Sequence, residues 1–254
     1  MLYSHKVSVS LFLALALALI ASLLSQPALA EHHPRILVFS KTSGWRHESI
    51  IDGQKALLEM GEREGIMVDI SENAALFTPE ILSTYDALVF LSTTGTLFND
   101  AQRKAFEGYI RAGGGFVGIH SATDTEYEWP WYNKLVGAQF RNHPHNQTAE
   151  KVVLTFEHPS TAFLREELDG NRWERYDEWY NFKNFNDDVT VIMNLDGNTF
   201  EGGRHGEHHP IAWYHNYDGG RSFYTAGGHT SESFEEPLFM RHILGGIRWA
   251  MGEQ

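Results

Sequence analysis

The chain alternates short, unbroken apolar runs with longer amphipathic stretches, and that alternation limits its fold more than any other feature. Arg35-Ile36-Leu37-Val38-Phe39-Ser40 is a continuous apolar run of strand length, as expected of a strand covered on both faces. The polar loop Lys41-Thr42-Ser43-Gly44-Trp45-Arg46-His47 leads into a helical pattern over residues 48–64. There Ile51, Ala56, Leu57, Leu58 and Met60 keep a helical period, and Gly65 ends it. Residues 66–71 and 86–91 predict two more strands, and residues 99–112 a helix with Phe106, Tyr109 and Ile110 on its apolar stripe. Gly113-Gly114-Gly115 then turns into a fourth buried strand, Phe116-Val117-Gly118-Ile119-His120. Strands alternating with helices imply βαβ units, hence an α/β fold with a mostly parallel sheet and helices on both faces. In such a fold, functional groups gather beyond the carboxyl ends of the strands.

The second half is less regular. Residues 152–156, 189–193, 211–214 and 221–225 read as strands, and residues 234–251 as a closing amphipathic helix carrying Leu238, Ile243, Leu244, Ile247 and Trp249. No linker, repeat or low-complexity tract divides residues 31–254, which read as one domain. Residues 1–30 read as a signal peptide. His5 and Lys6 form a weakly basic start, residues 11–24 are apolar except for Ser22, and Pro27 precedes the small-x-small motif Ala28-Leu29-Ala30. As a helix the apolar run would span about 21 Å, short of the roughly 30 Å hydrocarbon core. The expectation is a periplasmic or secreted protein with no stable membrane anchor after cleavage.

Charge and composition narrow the function. With 33 acidic against 20 basic residues, a net charge of −13 and no clustered Lys/Arg, nucleic acid is excluded as a partner. The absence of cysteine excludes disulfides, an all-cysteine zinc site, iron–sulfur ligation, a thiol nucleophile and a lipoprotein anchor. Fourteen histidines and 13% aromatic residues point to a small, polar ligand that is uncharged or cationic.

Four segments carry candidate chemistry. The fourth strand runs into Gly118-Ile119-His120-Ser121-Ala122-Thr123-Asp124, where small residues let a ligand approach and His120 leaves the sheet at its carboxyl end. A Ser121-based triad is rejected, because adjacent residues do not bring hydroxyl and imidazole into register and no G-x-S-x-G elbow is present. Tyr176-Asp177-Glu178-Trp179-Tyr180 sets two acids among rings that can stack on sugar C–H faces, and alternation turns only one acid, Glu178, to the site. His205-Gly206-Glu207-His208-His209-Pro210 and Gly227-Gly228-His229-Thr230 place imidazoles at strand ends. Converging with Asp124 or Glu178 they could bind zinc or another divalent ion, although no H-E-x-x-H pair or other tight metal spacing occurs and no cofactor is required. His205, His208 and Asn142-His143-Pro144-His145-Asn146 read as polar loop, whereas Trp45 and His47 fall on the rim of the expected site.

Ile36-Leu37-Val38-Phe39 with Trp45-Arg46-His47, residues 114–124, Asp177-Glu178-Trp179-Tyr180, His209-Pro210-Ile211-Ala212-Trp213, and Gly220-Arg221-Ser222-Phe223-Tyr224-Thr225 running to Gly228-His229-Thr230 resemble the trehalose-utilisation (ThuA-like) family, in order over essentially the whole chain after residue 30. The resemblance implies a flavodoxin-like three-layer sandwich similar to class I glutamine amidotransferases. Amidotransferase activity does not carry over, because the strand end that bears their nucleophilic cysteine holds His120 and Ser121 here. The family is linked to disaccharide use beside sugar dehydrogenases that make 3-keto sugars, and its members are described as secreted glycosyl hydrolases. The reading that follows is an exported protein acting on a disaccharide or 3-keto glycoside by acid/base chemistry. His120 and Glu178 are the acid/base pair, Asp124 orients His120, His229 binds substrate oxygen, and Trp45, His47, Tyr180 and His209 line the pocket. A metal-dependent hydrolase, a non-catalytic carbohydrate-binding domain and a partner subunit of a sugar dehydrogenase are the alternatives.

Overall fold

The structure, a computed structural model, describes residues 33–253; the expected signal peptide lies outside the described residues. The elements follow the order β1 (Arg35–Phe39), α1 (Ile50–Glu64), β2 (Met67–Ser71), α2 (Pro79–Leu82), β3 (Ala87–Leu91), α3 (Asp100–Arg111), β4 (Gly115–Ile119) and α4 (Pro130–Val136). Then come β5 (Gln139–Asn142), β6 (Gln147–Val153), α5 (Pro159–Ala162), α6 (Leu164–Glu167), β7 (Arg172–Asp177) and β8 (Asn181–Lys183). The chain closes with β9 (Thr190–Leu195), β10 (His209–Tyr217), β11 (Gly220–Thr225) and α7 (Pro237–Met251).

Nine strands form one sheet in the order β2-β1-β3-β4-β11-β10-β9-β6-β7, and β5 pairs with β8 separately. The first five are parallel, the flavodoxin-like core that the βαβ pattern implies, and the remaining steps are antiparallel. Every residue of β3 is buried because each face has its own helical layer. The Phe90 ring lies 5.3 Å from Phe106 of α3 and 5.9 Å from Tyr132 of α4. Its neighbour Leu91 points the other way, against Gly53 of α1, where a Cβ would come within 3.0 Å of Leu91 Cδ2. Each such fully buried side chain contributes about 1.5–3 kcal/mol. Helix α1 ends as its sequence requires, at Gly65 with φ +71°.

The antiparallel half departs from the sequence expectation. The strand expected at 152–156 lies at Gln147–Val153, and β7 is not among the strands that the apolar pattern predicts. In both, the inward positions include charged residues, so hydropathy hides the alternation. Lys151 of β6 is 1% exposed with Nζ 3.9 Å from the Trp173 ring centroid, and Trp173, Arg175 and Asp177 are the buried positions of β7. The closing helix begins at Pro237, after a 3₁₀ turn at Ser231–Glu235.

Two steps of topology position the site. Four antiparallel pairings from β11 to β7 restore the original direction, so β7 ends on the same edge as β1, β4 and β11. In a flat sheet those four steps would separate β7 from β11 by roughly 19 Å. Yet Asp177, the last residue of β7, accepts a hydrogen bond from Gly228 N, just after β11, at 2.8 Å. The antiparallel half therefore curls back over the mouth of the parallel half.

Candidate functional site

Four strand ends meet under this curl. The loop after β1 delivers His47, the end of β4 delivers His120, the end of β7 delivers Glu178, and the end of β11 delivers His229. One ligand-capable atom from each lies within 4.8 Å of the others. The imidazoles pack edge to face, with centroids 4.7 Å apart for His47–His120, 5.2 Å for His47–His229 and 5.3 Å for His120–His229.

His120 stands on a sharp elbow. Its φ is +52°, a left-handed conformation costly for a side-chain-bearing residue, and β4 turns there directly into the 3₁₀ segment His120–Asp124. Gly118 and Ala122, two residues to either side, make room: a Cβ on Gly118 would lie 3.0 Å from Tyr224 Cδ2 and 3.1 Å from Ala122 Cβ. This is the strand-to-helix geometry of a nucleophile elbow with histidine at its apex, although the G-x-S-x-G sequence is absent. The small-x-His-x-small spacing was its one trace in the sequence.

The His120 tautomer follows from its partners. Nδ1 lies 3.0 Å from the carbonyl oxygen of Ala226, which can only accept, so Nδ1 carries the hydrogen. Nε2 is left as a lone pair in the neutral ring. It faces Glu178 Oε2 at 3.5 Å, has no hydrogen-bond partner, and belongs to a side chain with no exposed surface. His229 Nδ1 lies 3.2 Å from the same oxygen, again without hydrogen-bonding geometry. His143 Nδ1 lies 2.9 Å from Glu178 Oε1 and 2.8 Å from the carbonyl oxygen of Pro144; both oxygens accept, so this nitrogen also carries a hydrogen.

These contacts set the charges. Burial works against ionisation of Glu178, yet His120 and His229, when they present a proton to it, outweigh burial and hold the carboxyl far below the usual carboxylate range. Burial, and then the neighbouring imidazoles His120 and His229, push His47 down to about 3, so it is neutral at physiological pH. Burial pulls His229 down as well, but the neighbouring Glu178 carboxylate leaves it raised overall. Burial raises Asp124, with the Tyr127 hydroxyl acting in the opposite direction.

Asp177 is the scaffold beneath. Fully buried, it accepts from Glu178 N (2.9 Å) and His229 N (3.0 Å) through Oδ1, and from Gly228 N (2.8 Å) and Ser233 Oγ (3.0 Å) through Oδ2. Arg175 adds a contact at 3.4 Å and is itself paired to Glu236. The approach needs glycine: a Cβ on Gly227 would sit 2.7 Å from Arg175 Nη1 and 3.1 Å from Asp177 Oδ2.

Above the cluster is a pocket of about 350 Å³, lined by Trp45, His47, Asp124, Phe140, His143, Glu178, Tyr180 and His229. Trp45 is 72% exposed on a loop tied down at Ser43, whose N–H donates to Thr94 O (2.8 Å), and at Arg46, paired with Glu72.

Several expected roles change in the structure. His120 lies below the pocket floor and reaches it only through Glu178 and the packed rings; it does not line the pocket. Asp124 does not orient His120. With three residues per 3₁₀ turn, position 124 points about 120° away from position 120, and Asp124 accepts from Tyr127 Oη at 2.6 Å instead. His209 is also outside the pocket: fully buried at the start of β10, it donates through Nε2 to the Tyr180 carbonyl (2.7 Å) and supports that residue from behind. His143, read as polar loop, faces Glu178. His205 stays in a supporting loop, accepting from Phe182 N at 2.9 Å. Ser121 Oγ is fully buried, 3.4 Å from His47 Nδ1.

Comparison with known proteins agrees with this architecture. A ThuA-like protein of Bacteroides uniformis superposes with a TM-score of 0.72 at 22% identity, covering 89% of this chain and 94% of that one. A ThuA-like protein of Parabacteroides merdae gives 0.71 at 16% identity, covering 87% and 91%. A β-galactosidase of Bacillus circulans sp. alkalophilus gives 0.58 at 11% identity, over 89% of this chain but only 32% of that one. At these identities the likenesses establish the fold alone. No curated protein matches the chain in sequence. The family model ThuA, described as trehalose utilisation, matches residues 35–250, a span that holds all four strand ends and the pocket, and the chain belongs to that family, whose description suggests a carbohydrate-related role.

Proposed function

We propose that this protein processes a sugar, a disaccharide or 3-keto glycoside, by moving a proton at the floor of the pocket. The observation that carries the reading is the Glu178 carboxylate, set among three imidazoles and facing a pocket whose rim is aromatic. Aromatic rings stack on the C–H faces of a sugar while carboxylates and imidazoles take its hydroxyls. In a 3-keto glycoside the proton at C2 is acidified, Glu178 is the base that faces it, and His229 or Asp124 assists departure at C1. His120 acts through Glu178 as a positioning residue. Family membership supports the substrate class, and the apolar segment at residues 11–24 supports export. A sugar dehydrogenase that supplies the keto substrate fits as a partner.

The test is product analysis on purified protein with disaccharides and 3-keto glycosides. Glu178→Gln should lower kcat by about a hundredfold or more. His120→Ala should lower kcat with KM held, because its side chain does not touch the pocket. Turnover by both variants at the wild-type rate would overturn the reading, and sugar binding without turnover by the wild type would make this a carbohydrate-binding domain.

A further inference from the structure

We propose that His47, His120, His229 and Glu178 together hold one divalent transition-metal ion at the floor of the pocket. The inference goes beyond the proposed sugar chemistry and changes what fills the space between the four donors. It starts from an orphan. His120 Nε2 is completely buried, its tautomer is fixed by the Ala226 carbonyl, and its lone pair points at a carboxylate oxygen 3.5 Å away. Two acceptors aimed at each other in a buried site repel, and a buried polar atom without a partner costs about 1–3 kcal/mol. A cation between them resolves both problems at once. His229 Nδ1 also lies 3.2 Å from that Glu178 oxygen, buried and without a hydrogen-bond partner.

The donor chemistry selects the ion. Three imidazoles and one carboxylate, with no thiolate available in a cysteine-free chain, suit zinc, cobalt, nickel or iron(II) better than magnesium or calcium, which prefer all-oxygen shells. A tetrahedral shell with bonds near 2.0–2.1 Å places its ligand atoms about 3.4 Å apart, so donors within 4.8 Å need to close by roughly an ångström, within reach of small side-chain rotations. The groups behind the ligands are already in place. Ala226 holds the His120 ring, and Asp177 accepts from the backbone N–H groups of both Glu178 and His229. Asp124 and His143 lie on the pocket wall beside this site, and an ion bound there would supply Lewis acidity toward a sugar carbonyl or hydroxyl.

Metal binding is measured on the protein alone, so it succeeds or fails independently of the sugar reading. Protein stripped with chelator and dialysed is titrated with Zn²⁺, Co²⁺ and Mg²⁺ by calorimetry, with bound metal counted by elemental analysis. The expected result is one equivalent of Zn²⁺ or Co²⁺ bound at micromolar affinity or tighter, and no uptake of Mg²⁺. His229→Ala and Glu178→Gln, both checked for folding by circular dichroism, should weaken binding at least about tenfold. Trp45→Ala, on the rim, should bind as the wild type does. Failure of the stripped wild type to take up Zn²⁺ or Co²⁺, or equal binding by the two ligand variants, would overturn the assignment. If metal binds but no sugar is processed, the proposed function falls and this inference stands; if sugar is processed but neither Zn²⁺ nor Co²⁺ binds, the reverse holds.

Discussion

Asp177→Asn is the most informative single substitution because one buried carboxylate holds two site segments together. Its two oxygens accept from four groups: Glu178 N, His229 N, Gly228 N and Ser233 Oγ, with Arg175 Nη1 a fifth contact. An amide keeps one acceptor oxygen and puts an NH₂ group in place of the other. Whichever way it turns, two N–H or O–H donors face a donor instead of an acceptor. Hydrogen bonds to a charged acceptor contribute about 1.5–3 kcal/mol each, and a buried donor left unmatched adds its own penalty. Arg175 also loses one counter-charge but keeps Glu236, which limits that contribution. The expected loss is about 3–5 kcal/mol, which for a domain of this size lowers Tm by on the order of 10 °C. The assay is urea and thermal unfolding, run beside turnover. Because Glu178 and His229 lose their shared anchor, activity should fall more steeply than the folded fraction. A variant within about 1 kcal/mol of wild type would refute the claim that this carboxylate organises the site.

Burial pushes His158 and His209 down to about 4 from an ordinary 6.5, so both are neutral in the fold and the unfolded chain takes up protons first. Their contribution is complete above pH 6.5 and is lost as pH falls from 6.5 toward 4, about 2 kcal/mol each at pH 5. Urea midpoints at pH 8 and pH 5 measure this, and His158→Asn, which can still cap Ser160 N, should remove one group's share of the pH dependence. Trp45→Ala should leave stability within about 0.5 kcal/mol, since the indole is 72% exposed, while raising KM for a two-ring sugar about tenfold and sparing a single-ring analogue. An equal effect on both substrates would remove the stacking role.

The sequence by itself determined the parallel half. Runs such as residues 36–39 and 87–91 can be buried on both faces only in a sheet with helices on either side, and Gly65 leaves α1 no way to continue. It also brought His120, His47 and His229 to strand ends, because apolar runs and glycine-rich turns are local properties, and alternation turned Glu178 toward the site without placing it at the end of β7. What it could not contain was the curl of the antiparallel half. Lys151, Arg175 and Asp177 stand at inward positions where hydropathy expects apolar residues, so β6 and β7 were indistinct, and their packing depends on partners more than fifty residues away, such as Gly228 and Glu236. Contacts distant in sequence likewise placed His209 behind Tyr180 and brought His143 onto Glu178, whereas Asp124 turns to Tyr127 through the local 3₁₀ geometry, which the apolar pattern did not show. Local pattern fixes which edge of the sheet a side chain reaches; only long-range packing decides which lone pairs face each other there.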